Sequence, residues 1–206
     1  MLNKHILKIE EKAFDLSISK ENLDETPFQT AGPFLHIGCT PNAIKIKKLY
    51  QNDLGETPFK NKNDSELITI EGSVFDGNGI PLDDVMLETW QCDEKGEFIE
   101  DRGFARFIPN NLSKKFILKT VKPGPFKGFD GKIHSPHISL SISSRGLNMT
   151  LNTRIYFEDD ELKNDPLLSI INNCNVNSLI AKKIKKDSYL FNILLQGKEE
   201  TIFLDI

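Results

Sequence analysis

Short runs in which apolar, β-branched or aromatic residues alternate with polar ones punctuate this chain, and Gly, Pro, Asn or Asp separates most of them. Glu66 to Phe75 reads ELITIEGSVF and Asp84 to Gln91 reads DVMLETWQ. Similar runs are Phe116–Val121, Ile138–Ser144, Asn148–Phe157, Ser178–Lys182, Tyr189–Gln196 and Glu200–Ile206. A period of two puts one face of an extended segment against a core and the other toward water, whereas a helix requires a period near 3.6. About eight such runs with turns between them predict an all-β chain, a single β-sandwich with short helices.

The connections sharpen this. Asp76-Gly77-Asn78-Gly79 is a tight-turn sequence and predicts that the first two runs form a hairpin. Gly103-Phe104-Ala105-Arg106-Phe107 reads as a turn leading into the Phe116 strand, with Pro109-Asn110-Asn111 at a turn before it. Asp165-Pro166 predicts a helical start, with Asp165 as N-cap and Pro166 at the first helical position. Residues 40–65 are polar and rich in Lys and Asn, and predict a short helix and a surface excursion. In Thr26–Phe34, TPFQTAGPF, two prolines and a glycine exclude regular structure. Residues 1–25, with Ile6, Leu7, Ile9 and Phe14 in a short amphipathic pattern, predict a helix or ordered arm ahead of one domain over residues 26–206.

Composition narrows the function classes. A chain of 206 residues with 14 Phe can bury one sizeable core. A net charge of −4 gives no case for nucleic acid or an anionic membrane surface, and the lysine clusters at Lys45, Lys47, Lys48 and at Lys182, Lys183, Lys185, Lys186 read as solvated faces. No apolar stretch approaches the roughly 18 residues of a membrane span. The first residues lack the pattern of a secretory signal. Cys39, Cys92 and Cys174 form no CxxC or zinc spacing, which fits buried or inert thiols in the cytoplasm. No Ser-His-Asp order, phosphate loop or carboxylate pair stands out.

The motifs that carry chemistry lie in Thr120–Gly146, TVKPGPFKGFDGKIHSPHISLSISSRG. A turn-rich loop holds Gly124-Pro125-Phe126, a strand opens Pro136-His137-Ile138-Ser139, and the stretch ends in Arg145-Gly146. Together with TPFQTAGPF followed by LHIG, the GSVFDGNGIPLDDVMLETWQ segment, Thr153–Phe157 (TRIYF) and the ending FNILLQGKEETIFLDI, it resembles the intradiol ring-cleaving dioxygenases. The likeness runs over residues 26–206 and is greater to the alpha than to the beta chains of the protocatechuate 3,4-dioxygenase family.

The resemblance implies an intradiol-type β-sandwich and a ligand set that this chain has lost. Iron-binding relatives use two tyrosines and a His-x-His pair; the matching positions here are Phe98, Phe126, His137 and Ser139. Ferric iron takes phenolate, imidazole and hydroxide donors; phenylalanine has no donor atom and a neutral hydroxyl is a poor substitute for imidazole. The expectation is therefore no metal on this chain, with Fe3+ held by a catalytic beta subunit in alpha-beta hetero-oligomers. In such an assembly the family cleaves 3,4-dihydroxybenzoate with dioxygen to 3-carboxy-cis,cis-muconate, in the catabolism of aromatic compounds. The isolated chain is then expected to be inactive, with no catalytic residue of its own.

The resemblance also implies what this chain contributes. Arg145, in the Arg-Gly turn, and Thr30, Gly32 and Pro33, in the TAGP loop, are the expected substrate-binding residues. A guanidinium suits an anionic dihydroxybenzoate because it is always charged and donates through a planar fork. Phe34 stands where many alpha chains have tyrosine. His137 alone reads as a hydrogen-bonded structural residue. His134 and His36 carry less signal still, and Arg154 reads as structural, paired inside the sandwich or at a subunit contact. Two other readings stay open at this point: a non-enzymatic sandwich that binds a ligand, and a single-chain catechol-type dioxygenase with an altered iron site.

Overall fold

The computed structural model describes residues 30–205 apart from 60–61, 64–65, 101 and 172–174. The expected arm over residues 1–25 and Cys174 lie outside the described residues. The strands are β1 (Ile68–Gly72), β2 (Val74–Phe75), β3 (Pro81–Leu82), β4 (Val85–Trp90), β5 (Phe104–Phe107), β6 (Phe116–Thr120), β7 (Phe126–Lys127), β8 (Ile133–His134), β9 (His137–Ser144), β10 (Leu151–Phe157), β11 (Ile180–Lys185), β12 (Ser188–Leu190) and β13 (Ile193–Leu194). Among the described residues there are also two short helices, α1 (Phe34–Cys39) and α2 (Pro166–Ile170), and a 3-10 turn over Val176–Leu179.

Alternation has the effect the period of two predicts. In β6, Phe116, Leu118 and Thr120 are buried while Ile117 and Lys119 face solvent. In β9, Ile138, Leu140 and Ile142 point into the core. Eight strands form one sheet in the order β5-β4-β9-β10-β11-β12-β1-β6. Its outer strands β5 and β6 come together, so the sheet is nearly closed. Ile70, Leu87, Phe116, Ile138, Leu140, Ile155, Phe157 and Tyr189 from its facing walls share one core. Burying each large apolar side chain stabilises the fold by about 1.5–3 kcal/mol. The all-β sandwich expected from the sequence is the architecture found. The smaller β13-β2-β3 and β7-β8 sheets flank it.

Several local expectations are corrected. The hairpin is shorter than its sequence suggests: only Val74–Leu82 and Phe75–Pro81 pair across the Asp76–Gly79 turn. β1 ends at Gly72, and the next backbone N–H, that of Ser73, donates to the Asn192 side-chain oxygen at 3.1 Å. The chain there crosses to the small sheet, and β4 departs to pair with β5 and β9. Phe104–Phe107, expected as a turn, is a strand because its register with β4 buries Ala105 opposite Thr89. The short helix expected within 40–65 falls earlier, at Phe34–Cys39, where Pro33 already has helical backbone angles. Residues 41–45 form turns, fixed by the Asp53 carboxylate, which accepts from the backbone of Asn42 and Ala43.

The expected strand Glu200–Ile206 is, among the described residues, one isolated bridge, Leu204 to Asn152. Its backbone is shared among several partners instead: Thr201 with Leu194, Ile202 with Ser178 and Thr153, Leu204 with Asn152. Asp165 does cap α2, accepting from the Leu167 and Leu168 N–H groups. The lysines of β11 are exposed, with Lys182 and Lys183 paired to Glu158 and Asp159.

Candidate functional site

β9 carries one candidate region at each end. At its start, two loops are clamped together. Asp93 accepts from the Lys95 and Glu97 N–H groups and, through its carbonyl, from Gly124 N–H. Gly96 (φ +82°) lies so close to Pro125 that a Cβ would meet its carbonyl oxygen at 2.1 Å, and one on Gly124 would meet Glu94 O at 2.5 Å. Only glycine tolerates both contacts. The clamp brings Phe98 edge-on to Phe126, with ring centroids 5.1 Å apart. Phe126 lies 5.2 Å from the His137 ring and stacks on His134 at 5.4 Å. Trp90, half exposed, stacks on Phe98. Three of the four ligand-equivalent positions thus meet. The fourth, Ser139, sits one step along the same face of β9, between Trp90 of β4 and Arg154 of β10.

The polar atoms at this end are tied to the protein. His137 is buried and donates from Nδ1 to Ser135 O at 2.8 Å, as the carbonyl can only accept. Burial, reinforced by the Arg154 charge, lowers its pKa to about 4, so its ring is neutral at physiological pH. Its pairing partner on β10 is Tyr156, whose hydroxyl donates to buried Asp165 at 3.0 Å and accepts from Arg154 at 3.3 Å. Burial pushes the Tyr156 phenol well above its ordinary range. Cys92, beneath the Gly124 loop, is a buried thiol pushed up to about 11 by desolvation, as the expectation of an inert cysteine requires.

At the far end of β9 the chain turns through Arg145-Gly146. Thr30 Oγ1 accepts from Gly146 N–H at 2.8 Å and donates to Ser144 O at 3.4 Å, so the TAGP loop is latched to this turn across 116 positions of sequence. A cleft of about 380 Å³ opens between them, lined by Gly32, Pro33, His36, Ile44, Asp84 and Arg145. All four residues expected to bind substrate therefore lie at one place. Arg145, its side chain 72% exposed, donates from Nε and Nη2 to one Asp84 oxygen at 2.8 and 2.6 Å. Gly32 has no heavy atom within 4 Å of where a Cβ would sit, so its surface is open to a neighbour. Phe34 is largely exposed.

Comparison with known proteins places this arrangement in a family. The Dioxygenase family model matches residues 41–197. The protocatechuate 3,4-dioxygenase alpha chain of Pseudomonas putida is 37% identical over 198 residues, covering 90% of this chain and 98% of that one. The Burkholderia cepacia alpha chain is 32% identical over 202 residues, covering 89% and 98%. The chain belongs to the intradiol dioxygenase family. The dioxygenase domain of a carbohydrate-binding fusion protein from Streptomyces sp. SirexAA-E shares its fold at a TM-score of 0.53 and 19% identity, over 84% of this chain and 99% of that one. As an intradiol dioxygenase relative of alpha-chain type, the chain is an oxidoreductase subunit.

The iron that this family uses does not fit the residues present. Phe98 and Phe126 bring rings without donor atoms; Phe98 meets Phe126 edge to face, and Phe126 packs on the two histidines. His137 has one nitrogen committed to Ser135 O, and Ser139 offers only a hydroxyl. Among the described residues, no group of three or more His, Cys, Asp or Glu is disposed to hold a metal ion.

Sequence reasoning missed His134, Tyr156 and Asp165 as members of this cluster. A signal for Tyr156 was present: it follows Arg154 by two positions and so shares its face of the strand. His134 and Asp165 had no comparable mark, as His134 reaches the cluster through the short β7–β8 pair and Asp165 from the start of α2.

Proposed function

We propose that this chain is the iron-free alpha subunit of a protocatechuate 3,4-dioxygenase and that its Arg145 turn and TAGP loop line the substrate pocket of a catalytic beta subunit. The observation that carries this reading is the latch between Thr30 and Gly146, which holds the loop and the guanidinium on one open cleft. The substrate, 3,4-dihydroxybenzoate, is a planar anion with a carboxylate at one side. Among the described residues the Arg145 side chain pairs with Asp84 at the surface, and an exposed ion pair of this kind is worth about 0–1 kcal/mol. The guanidinium can therefore exchange Asp84 for a substrate carboxylate at small cost, and a forked donor set gives that contact its direction.

In this reading the backbone at Gly32 and Pro33 approaches the partner closely. The Fe3+ of the beta subunit supplies the oxygen chemistry that opens the ring. The chain by itself is inactive because it presents no donor set for iron. A cytoplasmic enzyme accords with the free thiols Cys39 and Cys92.

The test is co-expression with a related chain from the same genome that keeps both tyrosines and the His-x-His pair. The expected result is a stable complex with iron on the second chain and cleavage of 3,4-dihydroxybenzoate to 3-carboxy-cis,cis-muconate. Failure to form a complex, or stoichiometric ferric iron with phenolate-to-iron absorption on this chain alone, overturns the reading.

A further inference from the structure

The lost metal centre is crossed by an unbroken polar chain. Asp130 Oδ1 lies 3.2 Å from His134 Nε2, and His134 Nδ1 lies 3.4 Å from Arg154 Nη1. Arg154 Nη1 also lies 3.3 Å from the Tyr156 hydroxyl, which reaches Asp165 at 3.0 Å. The directions follow from what each group can do. A guanidinium only donates, so His134 accepts at Nδ1 and carries its proton on Nε2, toward the Asp130 carboxylate. Tyr156 accepts from Arg154 and donates to Asp165, which also takes three backbone N–H groups, those of Ser135, Leu167 and Leu168.

A cation thus stands in the middle, with a carboxylate at each end reached through a ring. Its place is set by register. Arg154 lies directly opposite Ser139, and Tyr156 directly opposite His137. The guanidinium therefore neighbours the two ligand-equivalent positions of β9, and its Nε is buried with no hydrogen-bond partner among the described residues.

We propose that Arg154 is the resident cation of this centre: its guanidinium takes over the positive charge that a metal would contribute, and it bars a metal from returning even where donor atoms are restored. Arg154 stands directly across from Ser139, so a metal held there would face a like charge in a partly desolvated site, and the two would repel. The loss of Phe98, Phe126 and Ser139 as donors and the presence of Arg154 are then two halves of one exchange, a metal for a guanidinium. The inference concerns this chain alone and does not depend on the partner subunit.

The experiment restores the donors as Phe98→Tyr, Phe126→Tyr and Ser139→His in the full chain, in two versions, one keeping Arg154 and one with Arg154→Gln. Ferric iron is added, and iron retained per chain is measured with the visible phenolate-to-iron absorption. Altering a residue next to a metal centre changes affinity by about 10–100-fold, so the Gln version should hold iron at least roughly tenfold more tightly. Equal affinity, or tighter binding with Arg154 kept, overturns the proposal.

Should neither version fold or retain iron, Arg154→Lys and Arg154→Gln in the otherwise native chain decide. A required charge predicts that Lys keeps a melting temperature about 4 °C or more above that of Gln. If Lys melts with Gln or below it, the side chain serves packing and the proposal fails.

Discussion

At its first residue β9 carries His137, 3% exposed and enclosed by aromatic rings; where it ends, the chain turns through Arg145, whose side chain is 72% exposed. The two positions are separated by the length of one strand, roughly 25 Å. Each region has an arginine, and the two are held differently. Arg154 is threaded between His134 and Tyr156 with carboxylates beyond them. Arg145 rests on one surface carboxylate. The first charge is part of the fold and cannot change partners without disrupting it. The second is held weakly and can be recruited. An intradiol dioxygenase chain that has lost its donors at one end of a strand can still keep a usable cation at the other.

The comparison breaks first at Asp165. Asp165→Ala removes the cap of α2 and leaves the Tyr156 hydroxyl and the Ser135 N–H without their acceptor. The expected loss is about 3–5 kcal/mol, read by urea unfolding. If the variant unfolds like the native chain, the aromatic end is not the rigid half of the molecule.

Acid provides the next test. Between pH 6.5 and about 4 the unfolded chain binds a proton at His137 that the folded chain excludes, so stability is complete above pH 6.5 and falls as pH is lowered through that window. The contribution is up to about 3 kcal/mol, and His137→Gln should flatten that part of the urea-midpoint profile.

Arg145→Ala sharpens the contrast from the exposed end. In the assembled enzyme kcat/KM should fall about 10–100-fold, the value of one charge-assisted contact, while the melting temperature stays unchanged. Unchanged kinetics would remove Arg145 from the pocket.

The smallest effect is expected for Thr30→Val, which takes the acceptor from Gly146 N–H. About 1 kcal/mol of loop positioning is lost, seen as a KM raised severalfold with little change in kcat. A loss of kcat at constant KM would place the latch in the chemistry rather than in binding.

Much of this was legible before any coordinates. β9 and β10 announce themselves by alternation, and Asp165-Pro166 by capping chemistry, because each depends on residues adjacent in the chain. The want of donor atoms at Phe98 and Phe126 is equally local, since a side chain either has one or does not; that these positions correspond to iron ligands is what the family resemblance implies. The expected Glu66–Gln91 hairpin is present only as the two pairs beside its turn, because pattern within a run says nothing about which run lies beside it. β5 was hidden because Phe104–Phe107 is too short to show a period of its own.

The sequence by itself determined an all-β chain, the helical start at Asp165-Pro166 and donor-free rings at Phe98 and Phe126, for these follow from side-chain chemistry and short-range spacing. Only the tertiary structure decided that Thr30 closes on Gly146 and that Arg154 stands opposite Ser139. The first joins residues 116 positions apart, and the second is a choice of register made by the burial of Ile138, Leu140, Ile142 and Ile155 in the shared core. A one-residue slip there would turn every side chain of the strand to the other face, and with it the guanidinium away from the site.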